Sequence, residues 1–140
     1  MTQICYRGLS KRIHGQRLLD IAELSLQTGH CVALSGRNGA GKSTLMRILA
    51  GIEHADALRL HDGGRVLQGR AARSHLRGQV IYVHQHPYLF DRPVVDNIGY
   101  GLRCQGVVGE PAAVRVEQAL DWAGLAHLRD RNAREVSGGE

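Results

Sequence analysis

Gly36, Gly41, Lys42 and Ser43 stand at the fixed positions of G-x-x-x-x-G-K-[ST] within GRNGAGKST, a spacing with a definite chemistry. The glycines let the backbone wrap with its N–H groups turned inward, and a helix that follows adds the positive end of its dipole. Lys42 supplies a compact cation that reaches the β- and γ-phosphates of a nucleotide, while the Ser43 hydroxyl is placed to coordinate Mg²⁺. The stretch therefore predicts nucleoside triphosphate binding. A second glycine-bearing stretch, VSGGE at Val136 to Glu140, frees the backbone to turn or to approach a ligand, and its serine can cap a helix.

Such a loop works only between a strand and a helix. Cys31-Val32-Ala33-Leu34 is a short continuous apolar run, the pattern of a strand buried on both faces of a parallel sheet. After the loop, Leu45, Ile48 and Leu49 fall at helical spacing until Gly51. Upstream, Arg17 to Leu26 alternates loosely, as strands with a bend near Ala22 and Glu23 would. Ala57–Leu60 and Arg65–Leu67 flank His61-Asp62-Gly63-Gly64 as a hairpin. The run from Gln79 to Val83 predicts a further strand, with a loop holding Arg70, Arg73 and Arg77 before it. From Pro93 to Glu135 the pattern turns helical: Pro111 suits a first helical position, Val114, Ala119, Leu120 and Ala123 keep a helical period, and Gly124 ends it.

Of 140 residues, 43% are hydrophobic and 22% charged, which fits one globular domain and argues against disorder. No apolar run has the length of a signal peptide or a membrane span, so the chain reads as cytosolic. Cys5, Cys31 and Cys104 are too widely spaced for a disulfide framework or a zinc site and read as idle thiols. The net charge of +5 is spread along the chain, which reads as a solvated basic surface rather than a nucleic-acid face. His84 and His86 lack an evident third ligand and read as ordinary loop histidines.

GRNGAGKSTLMRILAG, followed by YVHQHPYLF and then VSGGE, resembles the ATP-binding subunit of an ABC transporter, and the likeness runs from about Ile4 to Glu140. It implies an α/β fold: a P-loop NTPase core of the ABC ATPase type, with a small antiparallel β region and an α-helical subdomain. The core would occupy about 1–85 and the helical subdomain about 86–140, with the C-terminal part of the core sheet absent. By the same resemblance ATP lies on Gly36, Arg37, Asn38, Gly39, Ala40, Gly41, Lys42, Ser43 and Thr44, and Mg²⁺ on Ser43 and Gln85. Lys42 and Gln85 would be the catalytic pair, Gln85 sensing the γ-phosphate through an uncharged amide. Ser137, Gly138 and Gly139 would close over ATP held by a second subunit, and Val136 in place of the usual leucine leaves those contacts intact. For adenine stacking the matching stretch offers Ile13 or His14, with Tyr6 as a substitute, and His30 replaces a frequent glutamate as a surface change.

The partners so implied are a second ATP-binding subunit, transmembrane permease subunits and a periplasmic or extracellular solute-binding protein, with no nucleic acid. The subunit would sit peripherally on the cytoplasmic face of the cell membrane. LHDGGRVLQGR and IYVHQHPYLFDRPVVDNIGYGLR look nearest to oxyanion importers such as those for tungstate. The family's Walker B strand, with its Asp and Glu, and its switch histidine find no counterpart within these residues, so hydrolysis by this stretch alone is not expected. Two strands would then lack neighbours, and the chain alone is expected to aggregate or to form a loose, weakly nucleotide-binding state. Two other readings share the motifs: a soluble ABC-type ATPase acting on nucleic acid or the ribosome, and a truncated product that binds nucleotide without hydrolysis.

Overall fold

In the computed structural model, residues 3–85 and 88–137 are described. Two long strands come first. β1 (Gln3–Ile13) and β2 (Gln16–Gln27) pair antiparallel around His14-Gly15. Both turn residues have positive φ, 49° and 77°, the backbone of a type I′ turn, whose twist suits the flanking strands. β3 (Ala57–Asp62) and β4 (Arg65–Gln68) make the second hairpin, at the position its turn residues predict. β3 also pairs with β1, giving the antiparallel order β2-β1-β3-β4. The β1–β3 register breaks between Arg7 and Ser10, where Gly8 takes φ 57° and relieves the bulge.

Helices α1 (Lys42–Leu49) and α2 (Gly69–Gln79) close this sheet. Tyr6, Leu9, Leu19 and Leu60 of the sheet pack with Leu45 and Ile48 of α1 and Ala72 and Leu76 of α2 in one core. Tyr6 is fully buried and its hydroxyl donates to the Leu49 carbonyl at 3.1 Å, so the one polar atom of that ring is satisfied.

Residues 1–83 form one unit and 84–140 another. The second unit holds α3 (Val94–Cys104), α4 (Glu110–Ala123) and two one-turn 3-10 helices, Ala126–Leu128 and Ala133–Glu135. Pro111 sits in the first turn of α4, and Gly124 caps it in the left-handed conformation at φ 71°, as the sequence predicts. Val94, Val116, Leu120, Leu128 and Ala133 make the core of this unit. No described helix is long and apolar enough to cross a membrane.

Four expectations are corrected. Cys31–Leu34 is not a buried strand: it has no strand partner among the described residues, and Val32 is 61% exposed. Gln79–Val83 is likewise no strand, since Gln79 ends α2 and Ile81 and Val83 are 91% and 76% exposed. An isolated extended segment has no ladder to join, so β-branched content alone does not make a strand. Arg70, Arg73 and Arg77 lie on helix α2, not in a loop, because the apolar pair Ala72 and Leu76 at helical spacing anchors it to the core. Finally, Gln16–Gln27 is one continuous strand rather than strands broken near Ala22, because β1 pairs along most of it.

Candidate functional site: the glycine loop of α1

The loop from Gly36 to Gly41 runs directly into α1 and is held in shape from both ends. Gly36, Gly39 and Gly41 have φ of 147°, 81° and 85°, conformations that side-chain-bearing residues rarely adopt. At Gly41 space is short as well, since a Cβ there would lie 3.0 Å from Leu18 Cγ and 3.1 Å from Leu19 Cδ2. The foot of the loop is thus pressed onto β2. Lys42 folds back across it, and Nζ donates to the carbonyls of Gly36 and Arg37, both at 2.8 Å. A turn bond from the Ala40 N–H to the Arg37 carbonyl closes the centre of the loop.

The site is an electrostatic hole as well as a shape. The start of α1 has no side-chain cap and no acidic residue in its first turn, so its opening N–H groups face outward as donors. With the lysine ammonium beside them, these donors suit an anion carrying several oxygens. Ser43 is exposed at the helix start, whereas Thr44 is buried and its Oγ1 accepts from Arg47 at 3.3 Å. Thr44 therefore offers its backbone to a ligand and its side chain to the fold. Arg37, Asn38, Gly39 and Ala40 are exposed along the rim.

Of the side chains considered for adenine, Tyr6 is corrected: it lies at the centre of the first core and presents no ring face. Ile13 and His14 are exposed at the β1–β2 turn. Burial, with the Asp62 charge adding to it, pushes the Tyr6 phenol up to about 12.

Gln85 and Ser137 belong to the second unit, and both are exposed. Gly138, Gly139 and His86 lie outside the described residues. Residues that sequence reasoning passed over shape this unit. The Asn97 carboxamide accepts from the Phe90 N–H at 2.8 Å and donates to the carbonyls of Phe90, Arg92 and Pro93 at 3.1 to 3.2 Å. Phe90 stacks edge-on with Tyr88 at 5.4 Å and lies 4.7 Å from Tyr100. The segment after Gln85 is also sewn to the one before Ser137. Val94 N–H donates to the Arg131 carbonyl, Ala133 N–H to the Arg92 carbonyl, and Asn132 Nδ2 to Asp91 Oδ1 at 2.8 Å. An asparagine inside an apolar helical run was the one available signal for this clip.

A glycine loop fed into an uncapped helix, with a lysine arched over it, defines an α/β protein of the P-loop class. The chain belongs to the ABC transporter family, whose pattern it matches over residues 19–140. It is 40% identical over 141 residues to the sulfate/thiosulfate import ATP-binding protein CysA of Bordetella pertussis (strain Tohama I), covering 96% of this chain and 38% of that protein. It is 36% identical over 140 residues to the aliphatic sulfonates import ATP-binding protein SsuB of Yersinia pestis, covering 99% of this chain and 47% of the relative. The Fe(3+) ions import ATP-binding protein FbpC of Pasteurella multocida is 34% identical over 135 residues, covering 96% of this chain and 38% of that protein. Among solved structures, cbiO1 of Clostridium perfringens, part of the ABC transporter complex cbiONQ, superposes with a TM-score of 0.80 at 26% identity, over 97% of this chain and 56% of that one. The chain thus spans less than half the length of these curated relatives.

Proposed function

We propose that this chain is the nucleotide-holding part of an ATP-binding subunit that powers import through an ABC transporter. The observation that carries the reading is the Gly36–Lys42 loop, bent by positive-φ glycines and closed by the Lys42 ammonium in front of an uncapped helix. Family membership and import-subunit relatives support the transport role. In this reading the loop N–H groups and Lys42 bind the β- and γ-phosphates, with Gly36 to Thr44 as the cradle. The Ser43 hydroxyl and the Gln85 amide hold Mg²⁺, which when bound offsets phosphate charge. Gln85 orients the groups around the γ-phosphate, and Ser137 with Gly138 and Gly139 caps ATP bound to a second subunit. Residues of about 1–85 serve as the nucleotide core and about 86–140 as the helical subdomain. The partners are that second subunit, permease subunits and a solute-binding protein, and the place of work is the cytoplasmic face of the cell membrane. The solute class is an oxyanion, a reading supported by the sulfate/thiosulfate and sulfonate relatives.

No aliphatic run ending in an Asp-Glu pair occurs within the 140 residues, so this stretch binds ATP without turning it over by itself. Titration with a fluorescent ATP analogue plus Mg²⁺ tests the reading. Saturable binding is expected, weakened at least about tenfold by Lys42→Ala, which removes a charge-assisted contact. Equal affinity in the two proteins would refute the assignment of the loop.

A further inference from the structure

Helix α2 places Arg70, Arg73 and Arg77 at i, i+3 and i+7, on one face. Together with His54 and Ser74 they line a cavity of about 470 Å³ that has no carboxylate in its wall. Basic side chains gathered this closely repel one another unless acids or an anion intervene. Here the neighbouring acids are engaged elsewhere. Glu53 pairs with Arg47 at 2.9 Å and Lys11 at 3.5 Å, Asp62 with His75 at 2.7 Å, and Asp56 Oδ2 accepts from the Arg12 N–H at 2.6 Å. Among the described residues neither Arg70 nor Arg73 enters an ion pair. The Nε of Arg73 is buried and has no hydrogen-bond partner among those residues, a state that costs free energy until an acceptor arrives. Arg77 uses its Nε on the Gly51 carbonyl at 2.9 Å, which anchors the side chain and leaves its terminal nitrogens as donors.

The frame around these arginines is tight. Gly51, at φ 70°, lets the exit of α1 touch α2, since a Cβ there would lie 2.6 Å from the Arg73 carbonyl oxygen. That contact fixes the helix carrying the arginines against the turn leading to His54. Guanidinium forks match the oxygens of a tetrahedral dianion, and the Ser74 hydroxyl adds a neutral donor.

We propose that this cavity is a second anion site, separate from the glycine loop, that binds a dissolved tetrahedral oxyanion, phosphate or sulfate. The two sites lie at opposite ends of α1, an eight-residue helix of about 12 Å. The proposal stands whether or not the loop binds ATP.

Equilibrium dialysis of the full chain against radiolabelled sulfate or phosphate, at ionic strength held constant with chloride, tests it. Expected is saturable binding of either ion that survives Lys42→Ala within about twofold and weakens about tenfold on Arg70→Gln. Arg70 is exposed, so its replacement leaves the core intact, and circular dichroism of each variant checks the fold. Loss of all sulfate and phosphate binding in Lys42→Ala would overturn the proposal, as would an unchanged affinity in Arg70→Gln or competition by chloride at equal concentration. Phosphatidylglycerol vesicles form a separate arm: co-sedimentation with them, combined with no uptake of the free ions, assigns the arginines to a lipid surface and overturns the dissolved-anion site.

Discussion

Tyr6 shows how far one side chain's role depends on where the fold puts it. Its hydroxyl bonds the last carbonyl of α1, and burial raises its phenol to about 12. The unfolded phenol titrates near 10, so the unfolded chain releases that proton first. Stability from this group is complete below pH 10 and falls by about 1.4 kcal/mol per pH unit as pH rises toward 12. Tyr6→Phe is expected to cost about 1 kcal/mol at neutral pH and to remove that alkaline decline. Urea denaturation at pH 7 to 11.5 measures both, and a parallel decline in the two proteins would contradict the account. The glycines separate in the same way. Gly51 and Gly124 share φ near 70°, but a Cβ at Gly51 meets the Arg73 carbonyl whereas one at Gly124 meets open space. Gly124→Ala should cost about 1 kcal/mol, the backbone penalty alone, and Gly51→Ala distinctly more. Equal losses on thermal melting would show that the contact between α1 and α2 is not tight.

Among the elements, the entry to α3 is set by Asn97, whose carboxamide makes four bonds that fold Phe90–Pro93 back on the first turn of the helix. Asn97→Ala leaves one N–H and several carbonyls to solvent and is expected to cost about 2 kcal/mol. The loss should be local. Hydrogen exchange at Phe90, which loses the acceptor of its N–H, is expected to speed up while that of Leu120 in the core of the unit stays slow. Uniform acceleration across the unit would assign Asn97 to global stability instead. The same clip continues through Asn132 and Asp91, so Asp91–Val94 and Arg131–Ala133 are tied together within their unit.

For the whole molecule the governing feature is apolar backbone without a ladder. Val32, Leu34, Ile81 and Val83 are exposed on segments that pair with no strand among the described residues. Aliphatic and low in charge, such segments pair readily with another chain. The protein is expected to self-associate at micromolar concentration, and Ile81→Lys with Val83→Lys to reduce light scattering severalfold without lowering the melting temperature, since neither side chain packs in a core. A monodisperse parent protein would rule this out.

The sequence alone determined whatever depends on local order. The spacing of Gly36, Gly41, Lys42 and Ser43 marked the glycine loop that leads into α1, the β3–β4 turn followed from Gly63 and Gly64, which take positive φ, and Pro111 and Gly124 bounded α4. β1 was not legible, because the bulge at Gly8 shifts Leu9 to the face its period assigns to Ser10. Tertiary structure decided what depends on neighbours. It buried Tyr6 and so withdrew it from any ligand. It made a helix of the arginine stretch because Ala72 and Leu76 found a core, and it left Cys31–Leu34, Ile81 and Val83 outside every strand among the described residues, because a strand exists only where another strand accepts its hydrogen bonds.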